Sequence, residues 1–179
     1  KNLLKLTLFL ALFWPALGHA GIVGQKAPGW QIAEWLNSDG GTVADHKGKV
    51  VVIDFFQLWC PGCNNFSIPL MHTWEKKYEK QALAGEILFV SIHTVFEGHK
   101  YQTPEMLKNF IKNKNITHPV GNDLHVEGHH IPLTMLNYRT RGTPEIAIVD
   151  RNGIVRFQDN IFDPASGEAV INQLLAESR

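Results

Sequence analysis

The sequence predicts an α/β fold: a central mixed β-sheet with helices on both faces. Three features carry this reading. The runs Val50-Val51-Val52-Ile53-Asp54-Phe55-Phe56 and Ile87-Leu88-Phe89-Val90-Ser91-Ile92 are nearly continuous, apolar and rich in β-branched residues, as strands covered on both sides are. A stretch of helical periodicity separates them, and strand–helix–strand order implies a right-handed parallel crossover. Near the end, Ile146–Val149 and Ile154–Phe157 flank Asp150-Arg151-Asn152-Gly153. Asn-Gly tolerates the positive φ of a tight turn, so this segment reads as an antiparallel hairpin.

The first twenty residues have the layout of an export signal. Lys1 and Lys5 form a basic start, Leu6 to Trp14 an apolar run, Pro15 a break, and Gly18-His19-Ala20 a small-x-small cleavage site. The apolar run is too short for a spanning helix, which needs about 18 residues or more. Cleavage after Ala20 is expected, leaving residues 21–179 as one domain in an oxidising compartment, the periplasm, without stable membrane insertion. Without Lys1 and Lys5, acidic residues slightly outnumber basic ones, and no polybasic run suggests nucleic acid. A monomer is expected.

In the mature chain, Gly29 to Leu36 reads as a short strand ended by Asn37-Ser38-Asp39-Gly40-Gly41. After the first buried strand, Phe66, Leu70, Met71, Trp74 and Tyr78 fall on one helical stripe, with Pro69 inside it as a kink. Thr103-Pro104-Glu105 opens another helix, with Thr as N-cap and Pro at the first helical position, running to about Lys114. The polar, His-rich stretch from Thr117 to His130 is expected to be irregular, followed by a short helix from Pro132 to Tyr138. A last helix runs from Pro164 to about Ala176, capped by Asp163.

The chemistry concentrates in Trp59-Cys60-Pro61-Gly62-Cys63, which holds both cysteines of the chain between the first buried strand and its helix. A thiolate at a helix N-terminus faces unpaired N–H groups and the positive end of the helix dipole, which favours the nucleophilic form. A second thiol two residues on can resolve a mixed disulfide. As a structural staple, a loop this short would contribute only about 2 kcal/mol. A zinc site lacks its second ligand pair at fixed spacing. Cys60 is therefore read as the attacking thiol, Cys63 as the resolving thiol, and Cys60–Cys63 as a redox-active disulfide. Asp54, six residues before Cys60, interrupts the buried strand, where desolvation would raise its pKa.

These residues, with Gly142-Thr143-Pro144-Glu145 and the Asp150–Gly153 hairpin downstream, resemble the thioredoxin-like fold, and within it the exported TlpA/ResA-type thiol-disulfide oxidoreductases of cytochrome c maturation. The resemblance implies an N-terminal β-hairpin extension and an insertion before the late hairpin. It implies that Asp54 accepts the proton of Cys63 and that Thr143-Pro144 is a cis bond beside the cysteines, docking a substrate backbone. Trp59 would be a substrate-contacting rim residue, and Glu145 and Pro61 would tune the pair. No cofactor beyond the disulfide is required. Partners would be protein thiol or disulfide substrates and a thiol electron donor, such as a membrane thiol transporter, with a reducing role.

The chain departs from the pattern twice: Pro-Gly stands between the cysteines where many thioredoxins have Gly-Pro, and Pro69 follows Cys63 by six residues instead of five. Other readings stay open. Copper delivery would use Cys60, Cys63 and one His, although such proteins usually space their cysteines by three residues. A thiol peroxidase would usually carry Thr or Ser where Gln57 stands. A binding protein with idle thiols is the remaining alternative. His118, His125, His129 and His130 are read as a solvated loop, not as a metal site.

Overall fold

The computed structural model describes residues 21–160 and 163–177. The expected export signal and its cleavage site lie outside them. Six strands form one sheet: β1 (Ile32–Leu36), β2 (Val50–Phe56), β3 (Ile87–His93), β4 (Val120–Asp123), β5 (Glu145–Val149) and β6 (Val155–Asp159), in the order β1-β4-β3-β2-β5-β6. The β2–β3 and β3–β4 pairs are parallel; β1–β4, β2–β5 and β5–β6 are antiparallel. The buried runs therefore occupy the centre, as their lack of polar alternation requires.

Side-chain parity divides the sheet. Val50, Val52, Ile87, Phe89, Ile146 and Ile148 pack beneath α1 (Ile68–Lys77) and α5 (Pro164–Ala176), through Met71, Trp74, Tyr78, Ile171 and Leu174. α2 (Glu79–Leu83) follows a break at Tyr78, the last residue of the expected helical stripe. α3 (Pro104–Asn113) sends Leu107 and Ile111 into a cluster with Phe56, Ile68 and both cysteines. The opposite face carries Val51, Ile53, Phe55, Val90 and Ile92 under Tyr138 of α4 (Leu133–Tyr138) and Ile22, Ala27 and Trp30 of the N-terminal segment.

The caps follow the sequence reading. Thr103 accepts from the Met106 N–H, Asp163 accepts from the Ala165 N–H, and Gly153 turns the β5–β6 hairpin at φ +80°.

Two expectations are corrected. The N-terminal hairpin does not form among the described residues: β1 pairs with β4, and the segment before it meets the sheet through a Lys26–Ile154 bridge. The His-rich stretch is not wholly irregular, because β4 lies inside it. Val-Gly-Asn-Asp has little strand propensity; tertiary packing selects it. Gly121 admits the side chains above it, since a Cβ there would meet Ile32 Cδ1 at 2.8 Å. Asp123 accepts from the N–H groups of Thr134 (2.8 Å) and Met135 (3.0 Å), tying β4 to the first turn of α4. His118 is buried, whereas His125, His129 and His130 are exposed as expected.

Candidate active site

Helical backbone starts at Pro61, directly after β2 and a short turn, so Cys60 takes the capping position and Pro61 the first helical one. Cys60 and Cys63 are joined by a disulfide, with Cα atoms 5.3 Å apart. The Cys63 N–H donates to Cys60 Sγ at 3.1 Å, one of the free donors that a helix start provides. Both cysteines are buried, Cys60 with 5% exposure and Cys63 with none.

The helix does not continue as a regular α-helix. Cys63–Ser67 is a π-helical turn in which the Ile68 N–H reaches the Cys63 carbonyl, five residues back. It ends as Pro69 enters the first turn of α1. The additional residue between Cys63 and Pro69 is thus absorbed as a local bulge, as π turns at functional sites are. Ser67, carried by this turn, donates from Oγ to Asp54 Oδ2 at 3.3 Å.

Asp54 is fully buried, and its Oδ1 has no hydrogen-bond partner among the described residues. Desolvation raises its pKa to about 7, partly offset by the Ser67 hydrogen bond. A carboxyl in that range exchanges protons near neutral pH.

The Thr143–Pro144 bond is cis, and the Thr143 carbonyl lies 3.4 Å from Cys60 Sγ. Glu145 is placed otherwise than a second charge beside the thiols would be. In the β2–β5 register it opposes Phe55, so it lies on the sheet face away from Asp54. There its Oε2 accepts from the Arg141 N–H at 3.0 Å and pairs with the guanidinium, while Oε1 accepts from Gln158. Trp59 is 50% exposed beside the disulfide, and Pro61 is also exposed.

Several contributors were not read from the sequence. Gly62 lets Pro144 approach, since a Cβ on it would lie 2.8 Å from Pro144 Cδ. Asn64 Nδ2 donates to the carbonyls of Leu58 (2.8 Å) and Cys60 (3.0 Å), fixing the turn before the helix. Buried Gln57 accepts from Trp59 Nε1 at 3.2 Å and from Gln102 Nε2; Gln102 Oε1 accepts from the Leu58 N–H at 3.0 Å. His93 stands beside Gln102 with its pKa lowered by burial to about 4, so the ring is neutral. A Gln following a buried strand was the available signal; its partner lies 45 residues away and carries none.

The family model for AhpC/TSA matches residues 23–158. The chain belongs to the AhpC/TSA family. Its fold is thioredoxin-like. Over 86% of its length it superposes on 97% of a thioredoxin-like superfamily protein of known structure, with a TM-score of 0.79 and 37% identity. A thiol-disulfide isomerase from Corynebacterium glutamicum is 36% identical with a TM-score of 0.76, covering 85% of this chain and 98% of that one. Thiol-disulfide oxidoreductase ResA of Bacillus thuringiensis is 26% identical over 74% of this chain and 66% of its own. Protein DipZ of Mycobacterium tuberculosis is 29% identical over 83% of this chain, but the match spans only 20% of DipZ. Two of these relatives are named for thiol-disulfide exchange, and the Cys60–Cys63 disulfide is a group that can undergo it.

Proposed function

We propose that the chain is an exported, periplasmic reductant of protein disulfides. The observation that carries the assignment of roles is the Cys63 N–H donated to Cys60 Sγ at the helix start. It stabilises negative charge on the outer sulfur and not on the inner one. The Cys60 thiolate attacks one sulfur of the substrate disulfide, and the other leaves as a thiolate. Asp54 takes the proton of Cys63, whose thiolate attacks Cys60 Sγ and releases the second substrate sulfur. The Cys60–Cys63 disulfide is then reduced by two electrons from a donor dithiol, with a membrane thiol transporter as the proposed source. Thr143 and Pro144 hold the substrate backbone, and Trp59 contacts its side chains. The protein acts as a monomer and without a cofactor.

Copper delivery and peroxide reduction are less well supported. Copper-delivery proteins of this fold usually have three residues between their cysteines, and this chain has two. Gln57 is occupied by Trp59 and Gln102 three residues before Cys60, the position where thiol peroxidases usually carry Thr or Ser.

Equilibration of the couple with defined thiol buffers tests the reading. A potential near the roughly −270 mV of thioredoxin supports a reductant. One near the roughly −120 mV of a strong oxidant of this fold would overturn it. Reaction with hydrogen peroxide faster than disulfide exchange would revive the peroxidase.

A further inference from the structure

A carboxyl that accepts a proton in a dry site must also lose it. Along β2 the same-face neighbours of Asp54 are Val52 and Phe56, and its register partner on β5 is Ile146, all buried and apolar. On β3 its register partner is Ser91. Parallel register partners share a face and stand one strand spacing apart, about 4.8 Å. Ser91 is itself buried, and its Oγ lies 2.7 Å from His118 Nε2. His118 Nδ1 lies 2.9 Å from Glu75 Oε1 on α1. Glu75 retains 21% side-chain exposure, and its other oxygen stands 3.5 Å from His72 Nδ1 at the surface.

The tautomer follows from the partners. An ionised Glu75 only accepts, so His118 carries its proton on Nδ1, and Nε2 accepts the Ser91 hydroxyl hydrogen. The Ser91 oxygen is then left as an acceptor, which suits a carboxyl O–H donor. In this disulfide form Asp54 makes no hydrogen bond to Ser91: its Oδ2 accepts from Ser67 and its Oδ1 has no partner among the described residues, so the two neighbours must close across the strands for a proton to pass.

We propose that Ser91, His118 and Glu75 carry the proton from Asp54 to solvent. This rests on the role proposed for Asp54. The Asp54 proton passes to Ser91 Oγ as the Ser91 hydrogen moves to His118 Nε2; the Nδ1 hydrogen passes to Glu75 and leaves to water. One proton enters the chain from Cys63 and one leaves it; each passage leaves His118 protonated on Nε2 and bare on Nδ1, so its ring must exchange tautomers before the next. None of the three touches the reacting sulfurs.

Stopped-flow oxidation of the reduced protein by a chromogenic aromatic disulfide, with a pH-indicator dye, tests this. The first release of aromatic thiolate reports attack by Cys60, and the second reports attack by Cys63. At a pH about one unit above the Asp54 value, the proton should reach the dye with the second release. In Glu75→Gln and His118→Phe the proton should lag the second release about a hundredfold, the low end of proton-transfer effects. Added imidazole should shorten the lag, which a purely structural change would not allow. Proton release still simultaneous in Glu75→Gln and unaffected by imidazole overturns the relay, even if His118→Phe fails to fold. Asp54→Asn separates the two ideas. An unchanged second release there removes the role of Asp54 itself. A slowed second release beside untouched proton timing in the relay variants removes only the route.

Discussion

Gly62 and Pro144 approach so closely that a residue with a Cβ does not fit at position 62. A Cβ on Gly62 would stand 2.8 Å from Pro144 Cδ and 3.4 Å from Pro144 Cγ. The Pro-Gly order between the cysteines thus has two separate causes. Pro61 starts the helix at an exposed position, and Gly62 clears space for the cis-proline loop.

Gly62→Ala should therefore displace the loop carrying Thr143. Overpacking of this kind costs about 1–3 kcal/mol. Chemical denaturation should show that loss, together with slower reduction of protein disulfides. Pro61→Ala should leave stability within about 1 kcal/mol, since Pro61 is exposed. Equal losses in the two variants would refute the packing argument.

Asp54 should make stability fall as pH rises. Its folded pKa is about 7 against 3.8 in the unfolded chain. Between those values the folded state binds the extra proton, so stability contributed by protonated Asp54 is present at low pH and lost as pH rises toward about 7. His93, lowered to about 4, acts in the opposite sense below its ordinary range, so the comparison must be made between variants. Asp54→Asn should match the parent near pH 4 and exceed it above pH 7 by on the order of 2–4 kcal/mol. Urea midpoints across this range measure the difference. A constant gap at all pH values would mean that Asp54 is not raised.

Most of the frame was legible because it rests on local signals. Val50–Phe56 and Ile87–Ile92 announce central strands by composition, and Thr103 and Asp163 announce helix starts by capping chemistry. β4 was not legible because Gly121 and Asp123 serve neighbours distant in sequence, Ile32 above the strand and Thr134 beyond it. His118 was hidden for the same reason: its partners, Ser91 and Glu75, are 27 and 43 residues away. In the site, Cys60 and Cys63 could be read from spacing, and Asp54 from its interruption of an apolar strand together with the family resemblance. Gln102 could not, since a lone Gln in a polar loop carries no sign of burial. The irregular step to Pro69 was visible as a count, but its π-helical form depends on three-dimensional hydrogen bonding.

Ser67 gives that π turn a chemical consequence. Its hydrogen bond favours ionised Asp54, so Ser67→Ala should raise the Asp54 pKa further above about 7. The pH midpoint of the second step, attack by Cys63, should move upward. The midpoint for Cys60 alkylation should stay in place, because the Cys63 N–H donor is untouched. Ser67→Thr keeps a hydroxyl and should return the midpoint toward the parent. A downward shift in Ser67→Ala would contradict the assigned donor.

Trp59 and Gln102 should separate recognition from support. Gln102 is buried and bonds the Leu58 N–H, Gln57 and the Glu97 carbonyl. Gln102→Leu strands those groups, at a cost of about 1–3 kcal/mol for each buried one left unpaired. Its denaturation midpoint should fall, and reactivity with small and protein disulfides should fall together as the Trp59-Cys60 turn loosens. Trp59 is half exposed, so Trp59→Ala should change stability by under about 1 kcal/mol. It should slow reduction of a protein disulfide severalfold while leaving a small aromatic disulfide unaffected, because only the larger substrate reaches the rim. Parallel kinetics with both substrates measure this directly. Equal slowing with both in Trp59→Ala would assign Trp59 to shaping Cys60 and remove it from the substrate surface.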